Sequence, residues 1–142
     1  ETNNLQTERL KMILEKDPIC FNHNLETVER LQKEVRRGAN YKKSLSLLKK
    51  SKDIAPHIQT KSGIMLGLGE TLDEIKNTIY DLKKIDCDQI TIGQYLRPSF
   101  NHLAVKKYWD PSEFEYLYRF SKELGFKKVS SGPLVRSSYH AG

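Results

Sequence analysis

A run of polar residues suited to catalysis or binding follows a short apolar segment near residue 20. Its members are Asn22, His23, Asn24, Glu26 and Thr27. Amide, imidazole and carboxylate groups at the C-terminal end of a buried strand are typical of the face on which parallel barrels carry their chemistry. The same residues fit a structural role, in which Asn24 and Thr27 cap a following helix and His23 is a hydrogen-bonded core histidine. The residue types alone leave both interpretations open.

A second candidate site is the apolar, glycine-ended segment Lys61–Thr71, which predicts a buried strand, a turn and a helix start. Gly67 and Gly69 permit a sharp turn and a close approach of a ligand to the backbone. The sequence Thr-Leu-Asp-Glu that follows is a capping box. Free backbone groups at such a junction favour small-molecule binding, although a tight turn without a ligand fits the sequence equally well. The segment is neither a P-loop nor a dinucleotide fingerprint, because the residues after the glycines do not match.

The elements that must position these two segments alternate between helices and strands. Helices are predicted over 4–16, 25–35, 41–55, 72–84 and 111–124, and strands over 19–24, 60–66, 89–95 and 127–130. The helical spacing predicts that Ile13 and Leu72 face inward with their apolar neighbours. Alternating strands and helices predict an α/β fold with a parallel sheet, here an open, partial (β/α) barrel of the TIM type.

Composition and charge restrict the class of protein further. The 142 residues are enough for one modest domain, with 24 Lys and Arg against 18 Asp and Glu. Much of the positive charge lies between residues 36 and 52, at Arg36, Arg37, Lys42, Lys43, Lys49, Lys50 and Lys52. This cluster fits a solvated helix face or a surface for an acidic partner. The lack of interleaved aromatic residues argues against nucleic acid.

The cysteines and the apolar runs point to a cytoplasmic protein. Cys20 and Cys87 are too far apart for a metal motif and are predicted to be reduced core thiols. No apolar run reaches membrane-spanning length and no signal peptide is present, so no membrane partner is expected. The chain opens with Glu1 inside helical sequence, and we expect that the start of the natural protein is missing.

Four motifs, in order from about residue 20 to the C-terminus, closely resemble those of lipoyl synthases. They are Phe21–Val28, Thr60–Glu70, Thr91–Pro98 and Ser131–Ala141. The pairing of Asn22-His23-Asn24 with Thr60-Lys61-Ser62-Gly63 resembles bacterial rather than mitochondrial members. The resemblance implies the C-terminal half of a radical S-adenosylmethionine barrel over residues 1–130, followed by a tail over 131–142.

The resemblance also implies a reaction and its cofactors. Lipoyl synthases are sulfurtransferases that insert two sulfur atoms at C6 and C8 of an octanoyl chain held on a carrier protein. One 4Fe-4S cluster cleaves S-adenosylmethionine to a radical, and a second, auxiliary cluster is consumed as the sulfur source. The expected partners are an octanoylated lipoyl carrier domain or the glycine-cleavage carrier protein, and an electron donor such as flavodoxin or ferredoxin.

Carried over residue by residue, the resemblance assigns roles in this chain. Ser138 matches a serine ligand of the auxiliary cluster, and Arg136, with Tyr139 and His140, would hold the tail over the barrel mouth. The residues matched to S-adenosylmethionine binding are Asn24, Glu26, Lys61, Gly67, Gly69, Glu70, Gln94 and Tyr95. Among these, Asn24 and Glu26 would contact the ribose and methionine part, Lys61 the methionine carboxylate, and the rest the adenosyl group.

The chain also departs from the family pattern. Both three-cysteine motifs of lipoyl synthases are absent, and Cys20 and Cys87 match neither. We therefore expect a fragment that is inactive when isolated. Two other interpretations remain open: a non-catalytic fragment or scaffold that binds an acidic carrier domain, and a different barrel enzyme that holds a phosphorylated substrate on the glycine turn.

Overall fold

Residues 2–136 form an α/β structure whose helices and strands alternate along the chain. The computed structural model describes the backbone of these residues and the side chains from residue 5 onward. The helices are α1 (Thr2–Glu15), α2 (Gln32–Val35), α3 (Tyr41–Ile54), α4 (Leu72–Lys84) and α5 (Pro111–Leu124). The strands are β1 (Cys20–Asn22), β2 (Gln59–Leu66), β3 (Gln89–Gln94) and β4 (Lys128–Gly132). No described helix is long and apolar enough to cross a membrane.

The four strands form one sheet in the order β1-β2-β3-β4, and every neighbouring pair is parallel. Each strand therefore pairs with the strand that follows it in sequence, as the predicted α/β pattern requires. Within residues 2–136, β1 and β4 each have a single neighbour, so the described sheet is open. This topology is consistent with a partial (β/α) fold and does not confirm closure of a TIM-type barrel.

One face of the sheet packs on the helices and forms the core. Register places Ile64 beside Ile92, and both side chains are at most 1% exposed. They pack in one cluster with Ile75 of α4 and with Phe114 of α5. Two strong helix boundaries support this packing, since Thr71 and Glu74 form the predicted capping box and Gly125 ends α5 in a left-handed conformation.

The opposite face of the sheet carries polar and small residues, and we call it the polar face. Because side chains alternate along a strand, the register sets its composition row by row. Its rows are Asn22, Lys61, Gln89 and Lys128; then Gly63, Thr91 and Ser130; then Met65, Gly93 and Gly132 at the carboxyl edge. The face presents only one large apolar side chain in these rows, so it is not an ordinary hydrophobic core.

The predicted helix over residues 25–35 is wrong. A 3-10 turn spans Glu29–Leu31 and α2 adds only four residues, whereas Glu26 forms a parallel bridge with Ile64. The burial period that suggested a helix is real, because Leu25, Val28 and Leu31 are all at most 4% exposed. The N-cap is Val28 with no side-chain cap bond, so the predicted capping roles of Asn24 and Thr27 are also wrong.

Two smaller predictions of inward-facing residues also fail. Leu72 is 39% exposed and Ile13 is 48% exposed, although each has helical spacing to buried neighbours. Leu72 is the first residue of α4, where the chain has just left the glycine turn. Ile13 lies on α1, whose main packing partner among the described elements is α3, and α1 buries a narrower stripe than a core helix.

Asp88 fastens the amino-terminal edge of the sheet, and we expect its charge to make stability depend on pH. Its carboxylate accepts hydrogen bonds from Lys52 Nζ at 2.6 Å and the Thr60 N–H at 2.8 Å, with Lys127 Nζ at 3.4 Å. Burial alone would raise the pKa of Asp88, but these donors outweigh burial and hold it below its ordinary 3.8. The stabilisation is therefore present above the ordinary pKa and is lost as pH falls through the lower folded value.

Urea unfolding of wild type and Asp88→Asn between about pH 2 and pH 6 measures this effect. The wild-type advantage in the free energy of unfolding should be largest near pH 6 and shrink toward pH 2. Asp53→Asn is the matched control, because Asp53 is an exposed carboxylate whose one ion pair within residues 2–136 is with Lys49 of the same helix. An advantage over Asp88→Asn that is constant across this pH range would contradict the assignment.

Candidate functional site

A pocket opens at the carboxyl edge of the sheet, where the predicted site residues were expected to meet. We call it the carboxyl-edge pocket; its volume is about 470 Å³, and Glu26, Met65, Leu68 and Tyr95 line its inner part. Glu34 and Arg36 stand at its outer rim. The volume lies within the usual range for small-molecule sites, and parallel α/β sheets bind ligands at this edge.

Glu26 enters the pocket from a strained backbone. Its φ is 74°, a left-handed conformation that side-chain-bearing residues rarely adopt outside turns. The Glu26 N–H donates to the Gly63 carbonyl at 3.0 Å, and the Met65 N–H donates to the Glu26 carbonyl at 2.8 Å. The sheet thus fixes the backbone on both sides of a residue that lines the pocket. Strain of this kind, enforced by the surroundings, is concentrated at functional sites.

The glycine turn is organised from within by Glu70. Its carboxylate, 7% exposed, accepts hydrogen bonds from the backbone N–H groups of Gly67 at 2.8 Å and Leu68 at 3.0 Å. The indole Nε1 of Trp109 donates a third hydrogen bond at 2.9 Å. The two N–H groups that would cradle a phosphate therefore already hold an internal anion. This arrangement argues against the alternative hypothesis, in which the chain belongs to a different barrel enzyme that binds a phosphorylated substrate at the glycine turn.

Trp109 is the structural residue that the sequence interpretation missed. Its side chain is 6% exposed, and its backbone N–H donates to Gln94 Oε1 at 3.0 Å. The ammonium of Lys107 lies 3.8 Å from the centre of its ring, within cation–π range. Its place as the only tryptophan of the chain, at the end of a long polar loop, is the signal that would have marked it as an anchor.

Gln94 and Tyr95 are both used by the protein to hold the loop that follows β3. Gln94 Nε2 donates to the Lys107 carbonyl at 2.9 Å, and the Tyr95 hydroxyl donates to the Leu103 carbonyl at 2.7 Å. The register places Gln94 beside Leu66 on the helix-facing side of the sheet. Tyr95 still lines the carboxyl-edge pocket with its ring, whereas the Gln94 amide is directed away from it.

Three other predicted site residues, Lys61, Gly69 and Arg136, are not among the described residues that line the carboxyl-edge pocket. Lys61 lies on the polar face beside Asn22. Gly69 is exposed at the outside of its turn, and its carbonyl accepts a hydrogen bond from Arg30 at 2.8 Å. Arg136 is exposed and donates to the Val135 carbonyl at 3.2 Å. Ser138, Tyr139 and His140 lie outside the described residues.

Some buried side-chain oxygens on the polar face of the sheet have no hydrogen-bond partner among the described residues. Asn22 Oδ1 and Thr91 Oγ1 on the polar face are two such atoms.

His23 is half-buried and its Nε2 lies 3.0 Å from Ser44 Oγ. Burial, with the nearby Arg36 charge, lowers the pKa of His23, so the imidazole is neutral at pH 7. The hydrogen bond and the partial burial of His23 agree with the interpretation of His23 as a hydrogen-bonded histidine.

The described residues do not provide a site for an iron–sulfur cluster. Burial raises the pKa of the Cys87 thiol to about 12, and burial likewise raises the pKa of Cys20. Both thiols are free, and residues 2–136 contain no group of three His, Cys, Asp or Glu side chains placed to bind a metal. An iron–sulfur cluster is held by several cysteine thiolates that converge on it. The cluster ligands that the family resemblance implies are therefore not among these residues.

The fold and the pocket together define a parallel β/α protein with a pocket at the carboxyl edge of its sheet. No protein-family model matches the chain. It is 77% identical over 142 residues to lipoyl synthase 2 of Prochlorococcus marinus subsp. pastoris, covering 100% of this chain and 48% of that protein. It is 57% identical over 137 residues to lipoyl synthase 2 of a Nostoc species, covering 96% and 46%. Lipoyl synthase of Hydrogenovibrio crunogenus is 53% identical over 135 residues, covering 95% and 43%.

The chain belongs to the lipoyl synthase family, and the resemblance drawn from its four motifs is confirmed. It spans about half the length of the curated relatives it matches.

Proposed function

We propose that this chain is part of a radical S-adenosylmethionine enzyme that makes the lipoyl cofactor. The enzyme would insert two sulfur atoms at C6 and C8 of an octanoyl chain on a carrier protein. The observation that carries the proposal is the 77% identity over all 142 residues to a protein named lipoyl synthase 2. The carboxyl-edge pocket supports it, because it lies at the edge where parallel α/β sheets generally bind ligands.

The residues at the carboxyl edge fit S-adenosylmethionine chemically. This ligand has hydroxyl and ammonium donors, a carboxylate and an apolar adenine face. Glu26 offers a carboxylate whose backbone is fixed, and Met65, Leu68 and Tyr95 offer apolar walls in the same pocket. Lys61 is a half-buried cation that forms no ion pair within residues 2–136, and it is proposed to meet the ligand carboxylate from the polar face.

The chain's own residues would bind, orient and enclose the reactants. S-adenosylmethionine, when bound and reduced, supplies the radical that removes hydrogen from the octanoyl chain. Glu26 would fix the ribose, with Asn24 beside it, and the apolar walls would exclude water from the reacting carbons. Glu70, held by Gly67, Leu68 and Trp109, would keep the glycine turn rigid against the adenosyl group. Gly69 and Gln94 would contribute to this site through the backbone and through loop positioning.

The proposal retains the tail and the partners implied by the family resemblance. Ser138 would ligate the auxiliary 4Fe-4S cluster and Arg136 would hold the tail near it, while the thiolate ligands of both clusters would come from outside residues 2–136. The substrate would be an octanoylated lipoyl carrier domain or the glycine-cleavage carrier protein in the cytoplasm. The electron donor would be a flavodoxin or a ferredoxin.

Replacement of Glu26 tests the reaction and the site together. Full-length protein reconstituted with iron and sulfide should convert an octanoyl chain to a lipoyl group and release 5′-deoxyadenosine. In Glu26→Gln we expect S-adenosylmethionine to bind about 10- to 100-fold more weakly, which matches the loss of a hydrogen bond to a charged group. Isothermal titration measures the affinity, and mass spectrometry measures both products.

Glu34→Gln is the matched control, because Glu34 is a carboxylate on the outer rim of the same pocket. It should change the affinity by less than about threefold, as expected for an exposed charge. Equal affinities in wild type and Glu26→Gln would show that Glu26 only shapes the start of the turn. Absence of any lipoyl product from the reconstituted wild type would instead favour the non-catalytic scaffold that binds an acidic carrier.

A further inference from the structure

A second pocket lies between the first turns of α3 and residues 6–13 of α1, beside Phe21 of β1. We call it the basic pocket; its volume is about 490 Å³. Its rim carries four cationic side chains, those of Arg9, Arg36, Arg37 and Lys43. Its floor is apolar and includes Leu10, Ile13 and Phe21. None of the roles proposed above uses this pocket.

The positive charge of the basic pocket is not compensated by the protein. None of its four cations forms an ion pair with a described residue, and no described Asp or Glu lines it. The first turn of α3 contains no acidic residue, so its helix dipole adds to the positive potential. Elsewhere the chain does pair its cations, as Lys49 with Asp53 and Lys52 with Asp88 show. The occupant that complements this pocket is therefore an anion.

The apolar floor and the exposed cations together favour a protein partner over a small anion. Small-molecule sites have buried polar groups that fix the ligand, but the polar pair at this pocket, His23 and Ser44, is hydrogen-bonded to itself. Ile13, 48% exposed, offers an apolar contact surrounded by long, mobile cations. An apolar anchor within a charged rim is the usual composition of a protein–protein contact.

The basic pocket adjoins the carboxyl-edge pocket through one residue. Arg36 lines both pockets, so a partner seated on the first lies next to the second. A carrier protein must bring its modified lysine arm to the reacting centre. A docking surface beside the site, rather than across the molecule, satisfies this requirement.

We propose that the basic pocket docks an acidic segment of the carrier protein, with one apolar carrier side chain placed over Ile13 and Phe21. This inference rests on the proposed function and identifies where its partner binds. It also divides the basic cluster of residues 36–52 in two, since Lys43 lines the pocket whereas Lys42 and Lys49 do not. Only the first group, with Arg9, should act on the carrier.

Charge reversal in two matched pairs tests the docking surface. Full-length Arg9→Glu/Arg37→Glu and Lys42→Glu/Lys49→Glu carry the same change in charge, but only the first pair lines the basic pocket. The probe is an unmodified acidic lipoyl carrier domain, so that no acyl chain contributes to binding. We expect the first pair to lower the association rate about tenfold or more and to flatten its salt dependence, because steering by surface charge is screened by salt. The second pair should change the rate less than about threefold.

The other outcomes each contradict the proposal. If both charge reversals change the carrier association rate equally, or if neither changes it, the region is only a solvated basic surface. The same conclusion follows if the wild type does not bind the carrier. Octanoate alone, bound by wild type and lost in Arg9→Glu/Arg37→Glu while carrier binding is unchanged, would identify a small-amphiphile site instead. Circular dichroism and thermal melting confirm that the variants are folded.

Conversion of a short octanoylated peptide by wild type tests the proposed function separately. Turnover of the peptide with unaltered carrier binding in the pocket variants would overturn the docking surface alone. Lack of turnover of both the peptide and the octanoylated carrier would overturn the proposed function itself.

Discussion

Gly67→Ala should lower the free energy of unfolding by about 2–5 kcal/mol, combining backbone strain with overpacking. Gly67 has a φ of 111°, which side-chain-bearing residues rarely adopt. A Cβ there would overlap Gln94 Nε2 and lie 2.6 Å from the Lys107 carbonyl oxygen. The Gln94 amide has no free direction in which to move, because it also bonds the backbone around Trp109. Urea unfolding measures the loss.

Gly69→Ala separates the strain from the overlap. Gly69 has almost the same φ, 112°, but a Cβ there would have no heavy atom closer than Lys106 Cγ at 3.9 Å. It should therefore lose only the strain contribution, about 1–3 kcal/mol. If Gly67→Ala and Gly69→Ala lower the free energy of unfolding equally, the close packing of the turn against Gln94 and Lys107 does not contribute to stability.

The difference between these two glycines is invisible in the sequence. Both stand in the same apolar, glycine-rich segment, and both were matched to a cofactor-binding motif. The structure assigns Gly67 to contact between the turn and the loop that follows β3, whereas Gly69 faces solvent. The contact between residues 67 and 107 depends on how the loop after β3 folds back onto the glycine turn, where the Lys106 N–H donates to the Gly67 carbonyl, and local sequence patterns do not encode that path.

The parts of the fold that sequence does predict are those with strong local signals. The capping box at Thr71, the glycine stop at Gly125 and the burial of Ile75 and Ile79 are all confirmed. The segment 25–35 failed because burial at every third residue fits a helix and also fits an extended segment that enters a 3-10 turn. Pairing of Glu26 with Ile64 decided between them, and that pairing is a tertiary contact.

The candidate site shows the same division. The carboxyl-edge pocket contains Glu26, which residue types marked as a candidate at a strand end, and Tyr95, which only the family resemblance matched to a ligand; their roles stay predictions. The residue types did not predict that the side chains of Glu70 and Gln94 would form hydrogen bonds with the protein backbone. Motif resemblance identifies which positions belong to a site, but a hydrogen-bond inventory is needed to tell a ligand contact from a support.

Gly93→Ala should displace the C-terminal segment and reduce lipoyl product formation by about 100-fold, the scale expected for a misplaced catalytic group. Gly93 lies in the last row of the polar face, between Met65 and Gly132. A Cβ there would overlap the Val135 carbonyl oxygen and lie 3.3 Å from its carbon. The chain therefore crosses β3 at this point only because residue 93 has no side chain. Since Ser138 follows three residues later, a shift of Val135 would move the proposed cluster ligand as well.

Gly132→Ala is the matched control for this prediction, because it lies on the same face and borders the same residue. A Cβ at Gly132 would meet Val135 Cγ2 at 3.7 Å, an ordinary van der Waals distance. Hydrogen exchange of the Val135 N–H, which donates to the Gly132 carbonyl at 3.2 Å, reports the position of the segment without any cofactor. We expect faster exchange and loss of lipoyl product in Gly93→Ala alone, with S-adenosylmethionine affinity retained. Unchanged exchange in Gly93→Ala would show that the tail does not depend on this contact. Loss of affinity together with product would place the damage in the cofactor site rather than in the tail.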